Sequence, residues 1–186
     1  MEPGATVFTR TPDVPLTDTG RRQVEAAGAW LAARYAPVRI VSSPFARARQ
    51  SADILAPALG LPVMIEKDLC EQNYGALAGQ PYAVLRSWPG YDRAAYWRWQ
   101  PPGGGERLVE VAARAGAALD RVAGSAPDGD VVVVSHGGVM VALWWHVTGT
   151  WPEGGVARNA GMVEVEHREG AYLGARALRS AGETPP

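Results

Sequence analysis

The stretch VVVVSHGGVMVALWWH, residues 131–146, decides the fold class. Four valines run directly into Ser135 and His136, two glycines follow, and an apolar helical pattern begins only after them. A continuous apolar run bounded by turn residues is typical of a central β-strand that is covered on both faces. The stretch therefore predicts a buried strand that ends on a histidine and is followed by a helix.

Strand and helix patterns alternate on both sides of that stretch. Upstream, TDTGRRQVEAAGAWLAARY predicts a helix with Thr17 as its N-cap, and ARARQSADILAPALG predicts a second helix that ends at Gly60. VRIVSS and LPVMIE, which follow these helices, read as short strands, and RLVEVAARAGAALDRVAG has amphipathic helical spacing. Downstream, GMVEVEHR and AYLGARAL are typical of late edge strands. The pattern predicts a three-layer α/β/α sandwich with a mostly parallel central sheet.

The length of the chain, 186 residues, suits one globular domain, so we predict a single domain over residues 1–186. The segment at about 79–105 is rich in Pro, Gly and aromatic residues and predicts short helices and loops outside the sheet. Within it, YDRAAYWRWQ is a candidate lid, although its tryptophans are more simply explained as packing against the helical layer. Residues at about 180–186 read as a loose tail.

Composition narrows the classes of partner. Lys and Arg total 18 against 19 acidic residues, and no basic block indicates nucleic acid or an anionic membrane as a partner. The single cysteine, Cys70, cannot form an internal disulfide and is expected to pack rather than react. No N-terminal apolar run resembles a signal peptide or a spanning helix, which makes a cytoplasmic location the expectation.

Polar residues follow two of the predicted strands. Ligands of open α/β sheets bind beyond the carboxyl ends of the strands, where loops lead into helix N-termini. SSPFAR places Arg47 at such a position, and SHGG places His136 there, with glycine amides free to approach a ligand closely. Together they predict a phosphate site. Taken singly, each is more often a local helix cap or a solvated side chain, and His146 and His167 carry no sign of a ligand role.

Five segments occur in the order seen in one known family. They are PLTDTGRRQVEAAGAWLA, SSPFARARQSADILAPALGLPV, LCEQNYGALAGQ, PPGGGERLVEVAARA and VVVVSHGGVMVAL, and they span Asp13 to about Val147. In these motifs the chain resembles the histidine phosphatase superfamily, also called the phosphoglycerate mutase-like family. The resemblance implies a phosphomonoesterase or phosphomutase that works through a phosphohistidine, without metal or cofactor, on a phosphorylated small molecule.

The resemblance also implies roles by position. Arg47 would clamp the phosphate, His136 would be the second histidine of the phosphate pocket, and the amide of Gly137 would be a further donor. Glu71 would donate and accept the proton of the leaving group, which requires a carboxyl kept protonated by its surroundings.

Three further residues match the family less firmly. Asn159 matches a position near the site, although Gly161 stands where a serine is expected. VFTRTPDVPLT matches a substrate-contacting loop, which would place Thr9 and Arg10 on that loop. If Arg93 or Arg98 faced the pocket, substrates with a second anionic group would fit.

The family's first motif, Arg-His-Gly at the end of its central strand, is absent. The chain has three histidines, none before His136, so no residue occupies the position of the nucleophile and the chain as given is expected to be inactive or very weak. Three explanations stay open: a start further upstream, with Met1 internal or misassigned; a derivative that has lost catalysis and keeps a phosphate pocket for binding or regulation; or a rerouted mechanism. The length favours a small phosphatase over a mutase, and a homodimer is left open.

Loss of that strand predicts a slot through the core. Its neighbours would keep unpaired backbone groups, at a cost of several kcal/mol against a total stability of about 5–15 kcal/mol. GATVF, residues 4–8, is the candidate for a substitute strand because Val7 and Phe8 are apolar.

Overall fold

The computed structural model describes Phe8 and residues 13–125 and 129–178. These residues form alternating helices and strands, joined in the middle of the chain by short 3₁₀ helices. The helices are α1 (Asp18–Ala32), α2 (Ala46–Leu59), α3 (Leu108–Ser125) and α4 (Gly137–Thr148). The strands are β1 (Pro37–Ser42), β2 (Val63–Ile65), β3 (Asp130–Val134), β4 (Met162–Arg168) and β5 (Ala171–Leu178).

The first three strands form a parallel sheet in the order β2-β1-β3. Val41 pairs in register with Val133, and Ser42 pairs with Val134, so that the carboxyl ends of β1 and β3 lie side by side. Side chains of a strand alternate between its faces. Accordingly, Ile40 packs into a core cluster with α1 and α2, whereas Val41 packs into a second cluster with α3 and α4. The predicted α/β/α layers are confirmed.

Local signals fix the helix ends where the sequence predicts them. The Thr17 side chain accepts a hydrogen bond from the Gly20 amide at 3.0 Å and caps α1. Gly60, with φ of 69°, ends α2 in the left-handed conformation that glycine adopts without strain. Both boundaries depend only on neighbours in the chain, which explains why the sequence predicts them well.

The position of β3 in the sheet differs from the prediction. Within the described residues β3 pairs only with β1, and its valines are half-buried, whereas Ile40–Ser42 of β1 are fully buried. β3 therefore lies at the edge of the described part of the sheet, which differs from the expected central position. Its expected coverage on both faces is confirmed, because Val131 and Val133 pack against one core cluster and Val132 and Val134 against the other. The late strands β4 and β5 form a separate antiparallel pair. The two sheets are separate because, within the described residues, no strand lies between β3 and β4 to pair with both.

A large cavity, of about 2450 Å³, occupies the space between β3 and β4. We call its part between the two strands the slot; it is lined by residues 129–134 of β3 and its turn and by residues 162–168 of β4. Phe8 does not pair with β3: its backbone exchanges hydrogen bonds with Gln80 and Gly79, and its ring is buried against Tyr74. The remainder of the candidate substitute strand, residues 4–7, lies outside the described residues.

The segment between β2 and α3 packs over the sheet through aromatic side chains. It contains 3₁₀ helices at Gly75–Leu77, Tyr82–Ser87 and Arg93–Arg98. Trp97 stacks on Trp151 at 5.6 Å between ring centroids, and Trp151 stacks on Trp145 of α4 at 5.2 Å. This tryptophan stack attaches the candidate lid to α4. No helix in the described ranges is long and apolar enough to cross a membrane.

Candidate active site

The predicted phosphate residues meet at one end of the cavity, beyond the carboxyl ends of β1 and β3. Arg47 lies in the first turn of α2, and His136 immediately precedes α4. Both line the cavity together with Glu71 from the loop after β2. Parallel pairing of β1 with β3 explains the convergence, because it brings the two strand-to-helix loops together.

His136 is buried, with 6% of its surface exposed. Its Nε2 lies 2.7 Å from Ser43 Oγ, and the Phe45 ring packs edge-on against the imidazole at 5.3 Å. Burial, followed by the positive charges of Arg47 and Arg114, lowers the pKa of His136 to about 3. The imidazole is therefore neutral at physiological pH and offers one N–H donor.

Arg47 has a buried donor that the described part of the chain leaves unpartnered. Its Nη1 atom has no hydrogen-bond partner within the described residues. The guanidinium carbon lies 5.3 Å from the centroid of the Phe45 ring. Burial lowers the pKa of Arg47, yet an arginine stays charged in proteins. A buried charged N–H without a partner is costly, and an anion in the cavity would satisfy it.

The Glu71 carboxyl lies on the N-terminus of α4. Its Oε1 accepts a hydrogen bond from the Gln72 amide at 2.9 Å, and Oε2 lies 3.4 Å from the Gly138 amide. Burial raises the pKa of Glu71, although both amides and the charges of Arg47 and Arg114 oppose it. A Cβ atom at Gly138 would come within 2.6 Å of Oε1, so a larger residue at this position would displace the Glu71 carboxyl.

Arg114 of α3 holds the Glu71 loop in place. It donates to the carbonyl oxygens of Asp68, Cys70 and Glu71 at 2.7, 2.8 and 3.2 Å. Its guanidinium also pairs with both carboxylate oxygens of Glu106, at 2.7 and 2.9 Å. Sequence reasoning missed this role. The available signal was an arginine beside the apolar stripe of an otherwise amphipathic helix.

Ser43, Tyr74 and Tyr82 also belong to the site and were given no role from sequence. Ser43 contacts His136 directly, as described above. The rings of Tyr74 and Tyr82 lie 6.5 Å apart between centroids and line the cavity with Glu71, and burial raises the pKa of Tyr74 well above its usual value. The position of Ser43 at the end of β1 was the signal that could have identified it.

The other predicted residues are placed as follows. Gly137 is the first residue of α4 and is exposed, with its amide at the helix N-terminus. Asn159 is exposed in the loop before β4 and lines the same cavity. Arg93 lines the cavity as well. Thr9 and Arg10 lie outside the described residues.

The remaining histidines lie apart from this site. His146 Nε2 pairs with Asp120 Oδ1 at 2.8 Å, and the Tyr172 hydroxyl donates to the same oxygen at 2.7 Å. His167 packs against the Tyr172 ring at 5.0 Å. Neither contacts Arg47 or Glu71 through a described hydrogen bond.

A neutral imidazole, a guanidinium with one buried N–H donor that has no described partner, and a buried carboxyl lie around the N-terminus of α4, an arrangement that can bind an anion. Residues 3–176 match the model of the histidine phosphatase superfamily, branch 1. The chain belongs to this superfamily.

Named relatives share the fold and much of the sequence. The chain is 35% identical over 169 residues to a glucosyl-3-phosphoglycerate phosphatase of Mycolicibacterium vanbaalenii, covering 82% of this chain and 73% of that protein. It is similar to a solved structure of a mycobacterial glucosyl-3-phosphoglycerate phosphatase with inorganic phosphate, with a TM-score of 0.78, 28% identity and coverage of 97% and 95%. A Mycobacterium tuberculosis bifunctional protein is 36% identical over 126 residues. That match spans 65% of this chain and only 34% of the bifunctional protein.

Proposed function

We propose that this chain forms the phosphate pocket and acid–base apparatus of a phosphomonoester phosphatase that works through a phosphohistidine. The observation that carries the proposal is the buried Arg47 Nη1, which has no partner within the described residues and lines one cavity with His136 and Glu71. The family membership and the phosphatases among its relatives support the same reaction class.

The pocket residues stabilise the transferring phosphoryl group. Phosphoryl transfer needs positioning and charge neutralisation more than covalent help from the protein. Arg47 supplies charged N–H donors, the neutral His136 supplies one more, and the Gly137 amide contributes the positive end of the α4 dipole. These groups face the nonbridging oxygens, where negative charge concentrates.

Glu71 carries the proton in both steps. In the first step a histidine nitrogen forms the bond to phosphorus, the ester P–O bond breaks, and the leaving oxygen takes the Glu71 proton. In the second step water attacks phosphorus, its proton passes to Glu71, and the P–N bond breaks to release inorganic phosphate. The raised pKa of Glu71, caused mainly by burial, favours the protonated acid that the first step requires.

His136 is not assigned as the nucleophile, because its Nε2 lies 2.7 Å from Ser43 Oγ and is engaged in that hydrogen bond. His146 and His167 are engaged elsewhere. We therefore assign the attacking role to none of the three histidines of this chain. This same observation favours a second candidate function, a catalytically inactive member that binds a phosphorylated ligand as a regulatory module. A phosphoglycerate mutase is less favoured on length.

The substrate is proposed to carry a second anionic group. Arg93 of the candidate lid lines the cavity that holds Arg47 and Glu71, whereas Arg98 is not among the lining residues. Glucosyl-3-phosphoglycerate, named for the relatives above, combines a phosphate ester with a carboxylate. It is accordingly the first compound to test.

Vanadate binding tests the phosphate pocket without requiring turnover. Arg47→Ala should weaken binding by about 1.5–3 kcal/mol, the scale of a charged hydrogen bond. Arg49→Ala is the matched control, because Arg49 lies on the same helix but is exposed and pairs with Asp53. Calorimetry that gave equal affinities for the two variants would remove Arg47 from the pocket.

Hydrolysis of p-nitrophenyl phosphate tests the reaction. The 186-residue chain is expected to show no turnover and no acid-labile phosphoprotein, whereas an N-terminally extended form carrying Arg-His-Gly should show both. Robust turnover by the present chain that His136→Ala abolishes would mean that His136 is the nucleophile and that the assignment above is wrong. An extended form that binds vanadate without hydrolysis would establish the regulatory alternative.

A further inference from the structure

Ser43 is held where the carboxyl ends of β1 and β3 meet. It follows β1 directly, and its amide donates to the carbonyl oxygen of Val134, the last residue of β3, at 2.9 Å. Its own carbonyl oxygen accepts a hydrogen bond from the Ser42 hydroxyl at 2.9 Å. Pro44 follows, and a residue before proline is restricted to extended backbone. The Ser43 backbone is therefore fixed beside His136, which comes two residues after Val134.

The hydroxyl of Ser43 makes two hydrogen-bond contacts. The Phe45 amide donates to Ser43 Oγ at 3.3 Å, so the oxygen is the acceptor in this contact. His136 Nε2 lies 2.7 Å from the same oxygen, and on distance alone either atom could donate. Ser43 is fully buried, and among the described residues its hydroxyl has no third partner. The hydroxyl proton therefore has only His136 Nε2 as an acceptor.

These two contacts select one tautomer of the neutral imidazole. If Nε2 carried the ring proton and donated it to Ser43, the buried hydroxyl proton would have no acceptor, which is costly. If Ser43 donates to Nε2 instead, both groups are satisfied and the ring proton lies on Nδ1. Nδ1 makes no hydrogen bond within the described part of the chain, and His136 lines the cavity with Arg47 and Glu71. The Nδ1–H can therefore donate to an oxygen atom of a ligand.

We infer that Ser43 is a positioning residue, which fixes the tautomer of His136 so that Nδ1–H donates to a nonbridging oxygen of the phosphoryl group. The pocket then offers the phosphoryl oxygens only donors, namely the Arg47 guanidinium, the His136 Nδ1–H and the Gly137 amide at the start of α4. With the opposite tautomer, a nitrogen lone pair would face those oxygens and repel them. The donation to a phosphoryl oxygen rests on the proposed function, whereas the tautomer does not.

Nitrogen-15 NMR of the histidine rings measures the tautomer in the full chain. The spectrum is recorded at about pH 8, well above the ordinary pKa of a histidine, and ring signals are assigned through the backbone resonances. We expect His136 Nδ1 to carry the proton and Nε2 to resonate as an unprotonated nitrogen. A proton on Nε2 would overturn the inference. Because this result is obtained with the unmodified chain, it does not depend on the folding of any variant.

His146 gives an internal contrast in the same spectrum. Its Nε2 lies 2.8 Å from Asp120 Oδ1, and the Tyr172 hydroxyl donates to the same oxygen. A carboxylate only accepts hydrogen bonds, so His146 Nε2 is the donor. The two histidines should therefore show opposite tautomers under identical conditions. The Nε2–H tautomer in both would mean that Ser43 does not control His136.

A matched pair of serine variants tests the cause of the tautomer. Ser43→Ala removes the hydroxyl that contacts Nε2, whereas Ser42→Ala removes an equally buried hydroxyl that donates to a backbone carbonyl. We expect Ser43→Ala to give a mixture of His136 tautomers and to weaken vanadate binding by about tenfold, as loss of a positioned charged hydrogen bond would. Ser42→Ala should retain the Nδ1–H tautomer and the vanadate affinity. Circular dichroism verifies that both fold, and an unchanged tautomer and affinity in Ser43→Ala would overturn the role of Ser43.

Vanadate also separates this inference from the proposed function. We expect added vanadate to shift the His136 Nδ1 resonance and to leave Nε2 unprotonated. If vanadate bound and Nε2 became protonated, the pocket would be retained and the inference overturned. If vanadate did not bind while the Nδ1–H tautomer was present, the proposed function would be overturned and the tautomer control by Ser43 retained.

Discussion

β1 and β3 are adjacent strands of similar composition in very different surroundings. Val41 of β1 and Val133 of β3 are register partners, yet Val41 is 3% exposed and Val133 is only half-buried. β1 has a strand on each side, whereas β3 has one side on the slot. An apolar sequence thus predicts that a strand is buried. How fully it is buried depends on whether distant segments of the chain pair with both of its edges.

The same contrast separates the two ends of the cavity. At the carboxyl ends of the strands, Ser43 contacts His136, and Arg114 ties the Glu71 loop to Glu106. Along the slot, by contrast, the walls are apolar, and the free edges of β3 and β4 make no hydrogen bonds to another strand within the described residues. Substitutions should therefore be costly at the site end and better tolerated along the slot.

The largest expected effect is the pH dependence that His136 confers. The pKa of His136 is about 3 in the folded chain, against 6.5 for an ordinary histidine in the unfolded chain, because burial disfavours the imidazolium. Between these values the unfolded chain binds a proton that the folded chain does not, so the free energy of unfolding falls as pH drops from 6.5 towards 3. The loss of unfolding free energy should reach about 4 kcal/mol near pH 3. Above pH 6.5 this histidine should make the free energy of unfolding no longer depend on pH.

His136→Gln provides the control for that measurement, because glutamine does not titrate. Urea unfolding between pH 4 and pH 7 should give a smaller slope for this variant. Identical slopes for the two proteins would mean that His136 is solvated and that the site end is not the more tightly packed region.

Removal of the Arg114 brace should have the next largest effect. Arg114→Met keeps the length of the side chain but leaves the Glu106 carboxylate and three backbone carbonyls without their donor. We expect the free energy of unfolding to fall by about 3 kcal/mol. Arg107→Met, at an exposed position just before the same helix, should cost far less. Similar losses in chemical denaturation would contradict the bracing role.

Val41→Ala and Val133→Ala compare the two strands directly. The same two carbons are deleted from residues paired across the sheet, so only the surroundings differ. The buried Val41 should cost about 2.5 kcal/mol, and Val133, beside the slot, about 1 kcal/mol. Equal costs would indicate that β3 is as well packed as β1 and that the slot is filled.

The smallest expected effect is at Thr17. Thr17→Ala removes the side-chain cap of α1, the helix that lines one face of the slot, and should cost about 1 kcal/mol. Thr19→Ala is a control within the first turn. A thermal denaturation series that ranked Thr19→Ala as the more damaging variant would place the functional cap elsewhere.

The sequence predicts well what depends on neighbours in the chain. The Thr17 cap, the Gly60 stop and the valine strand follow from local propensities. The edge position of β3 does not, because it depends on which distant segment pairs with it. The Arg114 brace joins residues more than forty positions apart, so only its unusual place on an amphipathic helix hinted at a role. The role proposed for Glu71 rests on a family resemblance and not on its local pattern.

The tryptophan stack has an optical consequence. Trp97, Trp151 and Trp145 stack their indole rings in nearly parallel planes, with interplanar angles of 6° and 13°. Electronic transitions of stacked indoles couple and give a signed pair of circular dichroism bands distinct from the helix signal. Trp97 belongs to the same short segment as Arg93, across a kink at Ala95, and Arg93 lines the cavity. A displacement of that segment would separate Trp97 from Trp151 while Trp151 stays stacked on Trp145, and it would therefore weaken the band pair. Circular dichroism thus reports on the position of the lid.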